Sequence, residues 1–315
     1  MRPLRRLAHA FLVPPALVLP AAIVLATALG CSSGSGADAG DGRLRVVATT
    51  TQTADFARVV GGEQVQVYGV LKANVDPHDF EPSPADLDAL GRADVIVRNG
   101  VGLEEWFDEV IRSAEAEGAV VDASAGVPLR RSGVSDRGAY DPHLWHNPRY
   151  AMRMVTNIES AFSAADPPRQ AAYRDNGQRY IAALEALDAE VEAQIGSLRN
   201  RKLVTNHDAF GYLVERYGLE FVGSIIPTFD TQAELSAQDV SALVARIRDT
   251  GVKAVFSESS LPPRTAESIG QEAGVRVVAG DDALYGDTLG PPGSDGATYL
   301  EMMRHNVRVI VDGLR

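Results

Sequence analysis

Three short segments contain four of the six histidines of this chain. They are Asp76-Pro77-His78, Asp141-Pro142-His143-Leu144-Trp145-His146-Asn147-Pro148 and Asn206-His207-Asp208. Neutral imidazole is the commonest metal ligand in proteins, and the prolines restrict the backbone around the first two histidines. The pattern therefore predicts a metal site whose ligands come from widely separated parts of the sequence.

A site with three imidazoles also needs an acidic partner. A divalent cation that leaves water requires a negative charge nearby, and carboxylates can complete histidine-rich sites. The candidates follow two predicted strands in the second half of the chain, and they are Glu258, Asp281, Asp282 and Asp287. Spacing alone leaves all four open.

Alternating β-rich and helical runs position these residues. Strands are predicted at 44–49, 65–71, 94–98, 119–122, 202–205, 220–226, 252–257 and 275–279. Helices are predicted at 53–60, from 84 onwards, and at 103–117, 148–165, 169–198, 210–217, 237–250, 262–273 and 298–314. This order predicts an α/β fold with mostly parallel sheets and helices on both faces.

The predicted strands also indicate where a ligand would bind. Ligands of parallel sheets lie beyond the carboxyl ends of strands. His78 follows the second predicted strand, His143 lies beyond the fourth, and His207 follows the first strand of the second half. We therefore expect a shared site in a cleft between two lobes.

Residues 169–198 are rich in Ala, Leu, Glu, Gln and Arg, which favour helix. A helix of this length would extend about 45 Å, longer than a small domain needs. We expect it to join two lobes, with an N-terminal lobe at 44–166, a linking helix at 167–199 and a C-terminal lobe at 200–315. A long surface helix of a single domain is the alternative.

The first 30 residues have the features of an export signal. Arg2, Arg5 and Arg6 form a basic start, and residues 11–29 are mostly apolar. Prolines interrupt the apolar run, which argues against a membrane-spanning helix. Residues 1–30 are therefore predicted to be a signal peptide.

Cys31 is the single cysteine of the chain. It follows Ala28-Leu29-Gly30, which resembles a bacterial lipobox with the leucine one position late. Acylation of Cys31 would make residues 31–43 a flexible spacer that anchors an extracytoplasmic protein to the cell membrane. Ordinary signal cleavage is the alternative. With one cysteine, neither disulfides nor thiolate metal ligands are expected.

The formal net charge is −12, and the predicted leader contributes only positive charges, so the remainder is still more acidic. Such a surface does not suit nucleic acid or anionic lipid. We expect no nucleic-acid partner.

Five motifs in order resemble those of the zinc/manganese-binding solute-binding proteins of bacterial ABC importers (cluster A-I). The motifs are Asp76-Pro77-His78-Asp79-Phe80-Glu81-Pro82-Ser83-Pro84, Arg98-Asn99-Gly100-Val101-Gly102-Leu103-Glu104, Asp141-Pro142-His143-Leu144-Trp145, His207-Asp208-Ala209-Phe210-Gly211-Tyr212 and Leu284-Tyr285-Gly286-Asp287-Thr288-Leu289-Gly290. The resemblance extends from about residue 44 to residue 315.

This resemblance implies two lobes joined by one rigid helix, with the metal held between them. Carried over by position, it implies that the ligands are His78, His143, His207 and Asp287. It also implies a binding protein rather than an enzyme, which delivers its metal to an ABC permease and ATPase complex. We expect the protein to be a monomer.

Acids beside the ligands could accept an imidazole N–H and so fix the orientation of the ring. The candidates are Asp76, Glu81, Asp141 and Glu258, followed by Asp208 and Glu104. Turn formation is the alternative for the aspartates. Trp145 is expected beside the site and His146 at its rim.

Imidazole and carboxylate donors suit Zn²⁺ or Mn²⁺. Zinc is expected over manganese, since Mn²⁺ is the weakest binder of the first-row series. In the family that this chain resembles, manganese is commoner where Glu replaces the histidine at position 207. Several zinc members carry a histidine-rich loop between the first two ligands, whereas residues 79–142 contain no histidine.

Two other functions would use similar residues. A zinc-dependent hydrolase would hold water at an open fourth position of a three-histidine site. The sequence contains no His-Glu-x-x-His motif and offers no clear general base, although Glu258 could be proposed. A metal-binding surface adhesin would use the same four ligands.

Overall fold

A computed structural model describes residues 42–131, 139–233 and 235–315. The predicted signal peptide, Cys31 and nearly all of the spacer lie outside the described residues. Among the described helices, none is both long and apolar enough to cross a membrane.

Four parallel strands form the sheet of the first half. They are β1 (Leu44–Ala48), β2 (Val65–Gly69), β3 (Val95–Arg98) and β4 (Ala119–Asp122), in the order β2-β1-β3-β4. Val46 pairs with both Val67 and Val95 in the central register. The inner strands are buried almost continuously, as expected for a parallel sheet covered on both faces.

The helices of the first half are α1 (Thr51–Gly61), α2 (Pro84–Gly91), α3 (Phe107–Ser113) and α4 (Pro148–Ala165). Ser83 caps α2, because its hydroxyl accepts the backbone N–H of Asp86 while the Asp86 carboxylate accepts that of Ser83. Proline follows at the first helical position, as the sequence predicts.

Helix α3 is shorter than the predicted 103–117. Glu115, inside the predicted range, has a positive φ of 49°, which a right-handed helix does not allow, and the helix ends before it. Before the helix, Gly100, Val101 and Gly102 also have positive φ, and they form a turn. The turn folds around the carboxylate of Glu104, which accepts the N–H groups of Asn99 and Gly100 at 2.7 and 3.1 Å.

The second half repeats the alternation with two separate pairs of parallel strands. They are β5 (Lys202–His207) with β6 (Glu220–Ile226), and β7 (Ala254–Phe256) with β8 (Arg276–Val278). Strand β5 lies next to β7. The helices are α6 (Gly211–Tyr217), α7 (Ala237–Thr250), α8 (Arg264–Ala273) and α9 (Tyr299–Leu314).

The long helix between the halves is α5 (Gln170–Gly196), with 27 residues. It packs against α1 and α4 of the first half and against α6 and α9 of the second. Its buried Asp188 accepts hydrogen bonds from Arg149 on α4 and from Arg216 and Tyr217 on α6, at 3.0, 2.6 and 2.8 Å. One carboxylate on α5 therefore fixes helices from both halves.

Candidate metal centre

The two Asp-Pro-His triplets form the same local turn. In each, the aspartate carboxylate accepts the backbone N–H of the histidine two residues later, at 2.9 Å for both Asp76 with His78 and Asp141 with His143. This side-chain turn is a common use of aspartate in loops. Each proline thus precedes a histidine whose backbone is already held.

The acids differ in what else they contact. Asp141 Oδ1 also lies 2.7 Å from Nδ1 of the His143 ring, and both side chains are fully buried. Asp76 instead uses its second oxygen to accept the hydroxyl of Thr231 at 2.6 Å. When the ring is neutral, an acid beside Nδ1 keeps the proton on that nitrogen and leaves the Nε2 lone pair of His143 free to bind a metal.

His207 is the last residue of β5, and its support comes from the neighbouring strand. Glu258 follows β7, and its Oε1 accepts the His207 backbone N–H at 3.0 Å. Its Oε2 lies 2.9 Å from His207 Nδ1. His207 is therefore held like His143, with an acid on Nδ1 and Nε2 directed away from it.

The carboxylate of Asp287 lies among the three imidazoles. Its oxygens are 3.2 Å from His143 Nε2, 3.2 Å from His207 Nε2 and 3.7 Å from His78 Nε2. One ligand atom from each of the four residues lies within 4.8 Å of the others. The four sequence-predicted ligands thus come together at one point.

Residues of the first half hold the loop that carries Asp287. Gln52 Nε2 donates to the carbonyl of Asp287 at 3.0 Å, and Thr51 Oγ1 accepts the N–H of Leu289 at 2.8 Å. The indole N–H of Trp145 donates to the Gly286 carbonyl at 3.0 Å. Sequence patterns gave no sign of the two α1 residues, because nothing in their spacing relates them to a loop more than two hundred positions away.

His146 corrects an expectation. Predicted at the rim, it is fully buried, packs 4.4 Å from the Phe210 ring and places Nε2 3.0 Å from the Gly286 carbonyl. It therefore joins Trp145 in contacting the backbone just before Asp287. Trp145 packs against His143 with ring centroids 5.4 Å apart, as expected.

The remaining candidates lie at varied distances from the four ligands. Glu104 shapes the turn in which Asn99 Nδ2 donates to the Pro142 carbonyl at 3.0 Å, next to His143. Asp208 faces Arg130 rather than an imidazole. Glu81, Asp281 and Asp282 are exposed and lie outside the four-residue cluster.

The ionisable groups of the site influence one another strongly. Burial lowers the pKa of His143, but the hydrogen bond to Asp141 and the negative charges of Asp141 and Asp287 outweigh it and raise that pKa to about 9. The pKa of His207 is likewise raised, despite burial, by Asp287 and Glu258. Burial raises the pKa of Asp287, but the two histidines lower it well below its usual range.

His78 is the exception, because burial lowers its pKa to about 4. Its side chain is 8% exposed, whereas those of His143, His207 and Asp287 are fully buried. His78 also lines a cleft of about 680 Å³ whose wall includes Phe80, Trp106 and Asp230. Of the four side chains, that of His78 is therefore the one that lines the cleft and is partly exposed.

The donor set fits a divalent cation. Both oxygens of Asp287 and Nε2 of His78 are buried without a hydrogen-bond partner in the described part of the chain. Buried polar atoms are costly when unpaired, and a metal would satisfy all three at once. Three nitrogens and a carboxylate, without thiolate, suit Zn²⁺ or Mn²⁺.

Fold and centre together define a class of α/β metal-binding protein with a buried site between parallel-sheet halves. Residues 46–313 match the family described as "ZnuA: Zinc-uptake complex component A periplasmic". The chain belongs to this family.

Curated relatives support the assignment. The chain is 32% identical over 281 residues to the manganese-binding lipoprotein MntA of Bacillus subtilis, covering 87% of this chain and 91% of MntA. It is 30% identical to the iron ABC transporter substrate-binding lipoprotein MtsA of Streptococcus pyogenes, covering 86% and 89%. These relatives are named for different metals.

Solved structures share the fold. The periplasmic zinc-binding protein TroA of Treponema pallidum superposes with a TM-score of 0.80 at 31% identity, covering 87% of this chain and 99% of TroA. A manganese-bound mutant of a periplasmic metal-binding protein from Candidatus Liberibacter asiaticus has a TM-score of 0.79 at 23% identity, covering 87% and 100%. The α/β class with mostly parallel sheets and one long helix, predicted from the sequence, is confirmed.

Proposed function

We propose that this chain is an extracytoplasmic substrate-binding protein that captures one divalent metal ion and delivers it to an ABC importer. The observation that carries the proposal is the Asp287 carboxylate among the Nε2 atoms of His78, His143 and His207. The ligands in this proposal are those four residues. Asp141 and Glu258 orient two of the imidazoles, and Asp76 holds the backbone of the third.

Zinc is the proposed metal, with manganese as the alternative. Four donor groups, three of them imidazoles, favour a four-coordinate ion, and zinc readily adopts tetrahedral four-coordination. Zinc also binds such donors more tightly than manganese does.

Binding rather than hydrolysis fits the arrangement of the donors. A catalytic zinc keeps one open position for water, whereas here a carboxylate lies within 3.2 Å of two imidazoles and completes a four-ligand set. Glu258, the one general base proposed from the sequence, lies on His207 Nδ1 instead of facing an open position.

The names of the relatives support a proposal for location and partners. Relatives are lipoproteins of ABC transporters. We propose that Cys31 is acylated and anchors the protein to the cell membrane. We also propose that the protein is a monomer and delivers its metal to a permease and ATPase complex. We further propose that α5 separates two lobes, at residues 44–166 and 200–315. Contacts of α5 with both halves suggest small relative movements on metal release.

Metal analysis of the purified protein tests the ligands. We expect one zinc or manganese ion per chain, and loss of most of it in His143→Ala. Full retention of metal by the variant would disprove the assignment. Assays with ester, peptide and phosphate substrates should show no metal-dependent turnover, and turnover would favour the hydrolase instead.

A further inference from the structure

Arg130 lies between the acids that adjoin two of the ligands. Its Nη1 is 2.6 Å from Asp141 Oδ2 and 3.8 Å from Asp208 Oδ1. Asp141 contacts the ring of His143, and Asp208 directly follows His207. One guanidinium thus contacts a first-half segment and a second-half segment, each of which carries a ligand.

The surroundings of Arg130 hold it in place. The backbone N–H of Asp141 donates to the Arg130 carbonyl at 3.0 Å. Tyr212 of α6 accepts the Arg130 backbone N–H at 3.1 Å and donates to the Asp141 carbonyl at 2.9 Å. The guanidinium also lies 5.9 Å from the Tyr212 ring centroid and 5.8 Å from that of Phe229, within cation–π range.

Gly211 gives the guanidinium its space. A Cβ atom at this position would lie 1.2 Å from Arg130 Nη1 and 2.2 Å from Cζ. Gly211 opens α6 and is not among the glycines with positive φ, so the backbone conformation does not require glycine there. The close approach of Arg130 accounts for the glycine in the His207-Asp208-Ala209-Phe210-Gly211-Tyr212 motif.

The two carboxylates beside Arg130 require a positive charge between them. Asp141 and Asp208 both lie close to Nη1, and Asp141 is fully buried. Two carboxylates this close repel each other unless a positive group lies between them. A buried ion pair is strongly destabilised when one partner is removed. Removal of the guanidinium would therefore separate the segments that carry His143 and His207.

We propose that Arg130 is a positioning residue of the metal centre, which ties the Asp141–His143 turn to the His207–Asp208 end of β5. It contacts no ligand itself and acts through the two aspartates. The inference rests on the proposed function, since it assigns a role in holding the same metal.

Three variants test it on the full chain. Arg130→Gln removes the charge, Arg130→Lys keeps it, and Gly211→Ala displaces the guanidinium without removing it. We would record the visible absorption spectrum of bound Co²⁺, which reports ligand geometry, and the rate at which an excess of chelator removes Zn²⁺. Neither readout depends on transport.

Partners of metal-binding histidines typically contribute 10–100-fold to metal affinity, and Arg130 acts one step further out. We therefore expect Arg130→Gln to accelerate Zn²⁺ loss roughly tenfold and to alter the Co²⁺ spectrum. Arg130→Lys should recover part of both. Gly211→Ala should behave like Arg130→Gln, and the double variant should be no worse than either single one, because both act on the same contact.

Arg216→Gln is the matched control. It breaks another arginine–aspartate pair, with Asp188 on α5, and the contacts of Arg216 do not include the ligands or their acids. It should lower the melting temperature while leaving spectrum and rate unchanged. If folded Arg130→Gln and Gly211→Ala both keep the wild-type spectrum and rate, or if Arg216→Gln changes them equally, the inference is wrong. Failure of the wild type to bind Co²⁺ or Zn²⁺ would instead disprove the proposed function.

Discussion

His78 and His143 come from identical Asp-Pro-His triplets, yet the structure gives their rings different chemistry. Both backbones are held by the preceding aspartate at 2.9 Å. Only His143 has that aspartate on its ring as well, and its pKa rises to about 9, while that of His78 falls to about 4. Local sequence therefore sets the turn, and tertiary neighbours set the imidazole.

Removal of either imidazole ring should have the largest effect on metal affinity, and the two variants should differ in the stability of the metal-free protein. His78→Ala and His143→Ala each delete a proposed ligand, so metal affinity should fall by more than about 100-fold in both. In His143→Ala the buried Asp141 keeps Arg130 but loses its hydrogen bond to the imidazole ring, and we expect an additional cost of about 1–3 kcal/mol to the metal-free fold.

Competition with a zinc chelator would measure the affinities, and thermal unfolding of the metal-free proteins would measure the stabilities. Equal melting temperatures for the two variants would show that the comparison does not extend to stability.

Substitution of the two aspartates should sharpen the contrast. In Asp141→Asn an amide N–H would face either the Arg130 cation or the His143 ring, so affinity should fall roughly 10–100-fold. In Asp76→Asn the Thr231 hydroxyl can rotate to accept the new N–H, and we expect a change of no more than about threefold. The same chelator competition applies, and a larger loss from Asp76→Asn would reverse the assignment of roles.

The dependence of binding on pH should follow His143 and His207 rather than His78. Metal ligation requires neutral imidazole, and a histidine whose pKa is raised holds its proton throughout the neutral range. Affinity should therefore increase as pH rises towards about 9 and about two protons should be released per metal bound near pH 7. His78 is already neutral there and contributes none.

Calorimetric titration in buffers of different ionisation enthalpy counts the released protons. Binding that releases no protons at neutral pH would contradict the raised pKa values.

The smallest expected effect concerns His146. In His146→Leu the Gly286 carbonyl keeps the bond from Trp145, and the buried, unpartnered Nδ1 of His146 disappears. We expect a stability change within about 1 kcal/mol and an unchanged metal content. Loss of the metal from this variant would indicate that His146 belongs among the ligands.

Much of the fold could be predicted because periodicity and capping are local. Ser83, Pro84 and Asp86 start α2 as predicted, and β4, β6 and α7 have the predicted bounds. Helix α3 was predicted too long because its amphipathic pattern extends past Ser113 to Glu115, whose positive φ no side-chain pattern reveals, and because the residues before Phe107 belong to a turn around Glu104. That turn depends on a contact between Glu104 and Thr49, which sequence spacing does not reveal.

The sequence by itself determined the α/β alternation, the long helix and the histidine-bearing turns, because each depends on neighbouring residues. The choice of Asp287 among four acids came from a motif resemblance, not from spacing. Only the tertiary structure decided that Asp141 and Glu258 support the rings, that His146 is buried and that Arg130 joins two ligand segments. Charges and hydrogen bonds act over a few ångströms in space. Residues that are far apart in the sequence come within this range only when the chain has folded.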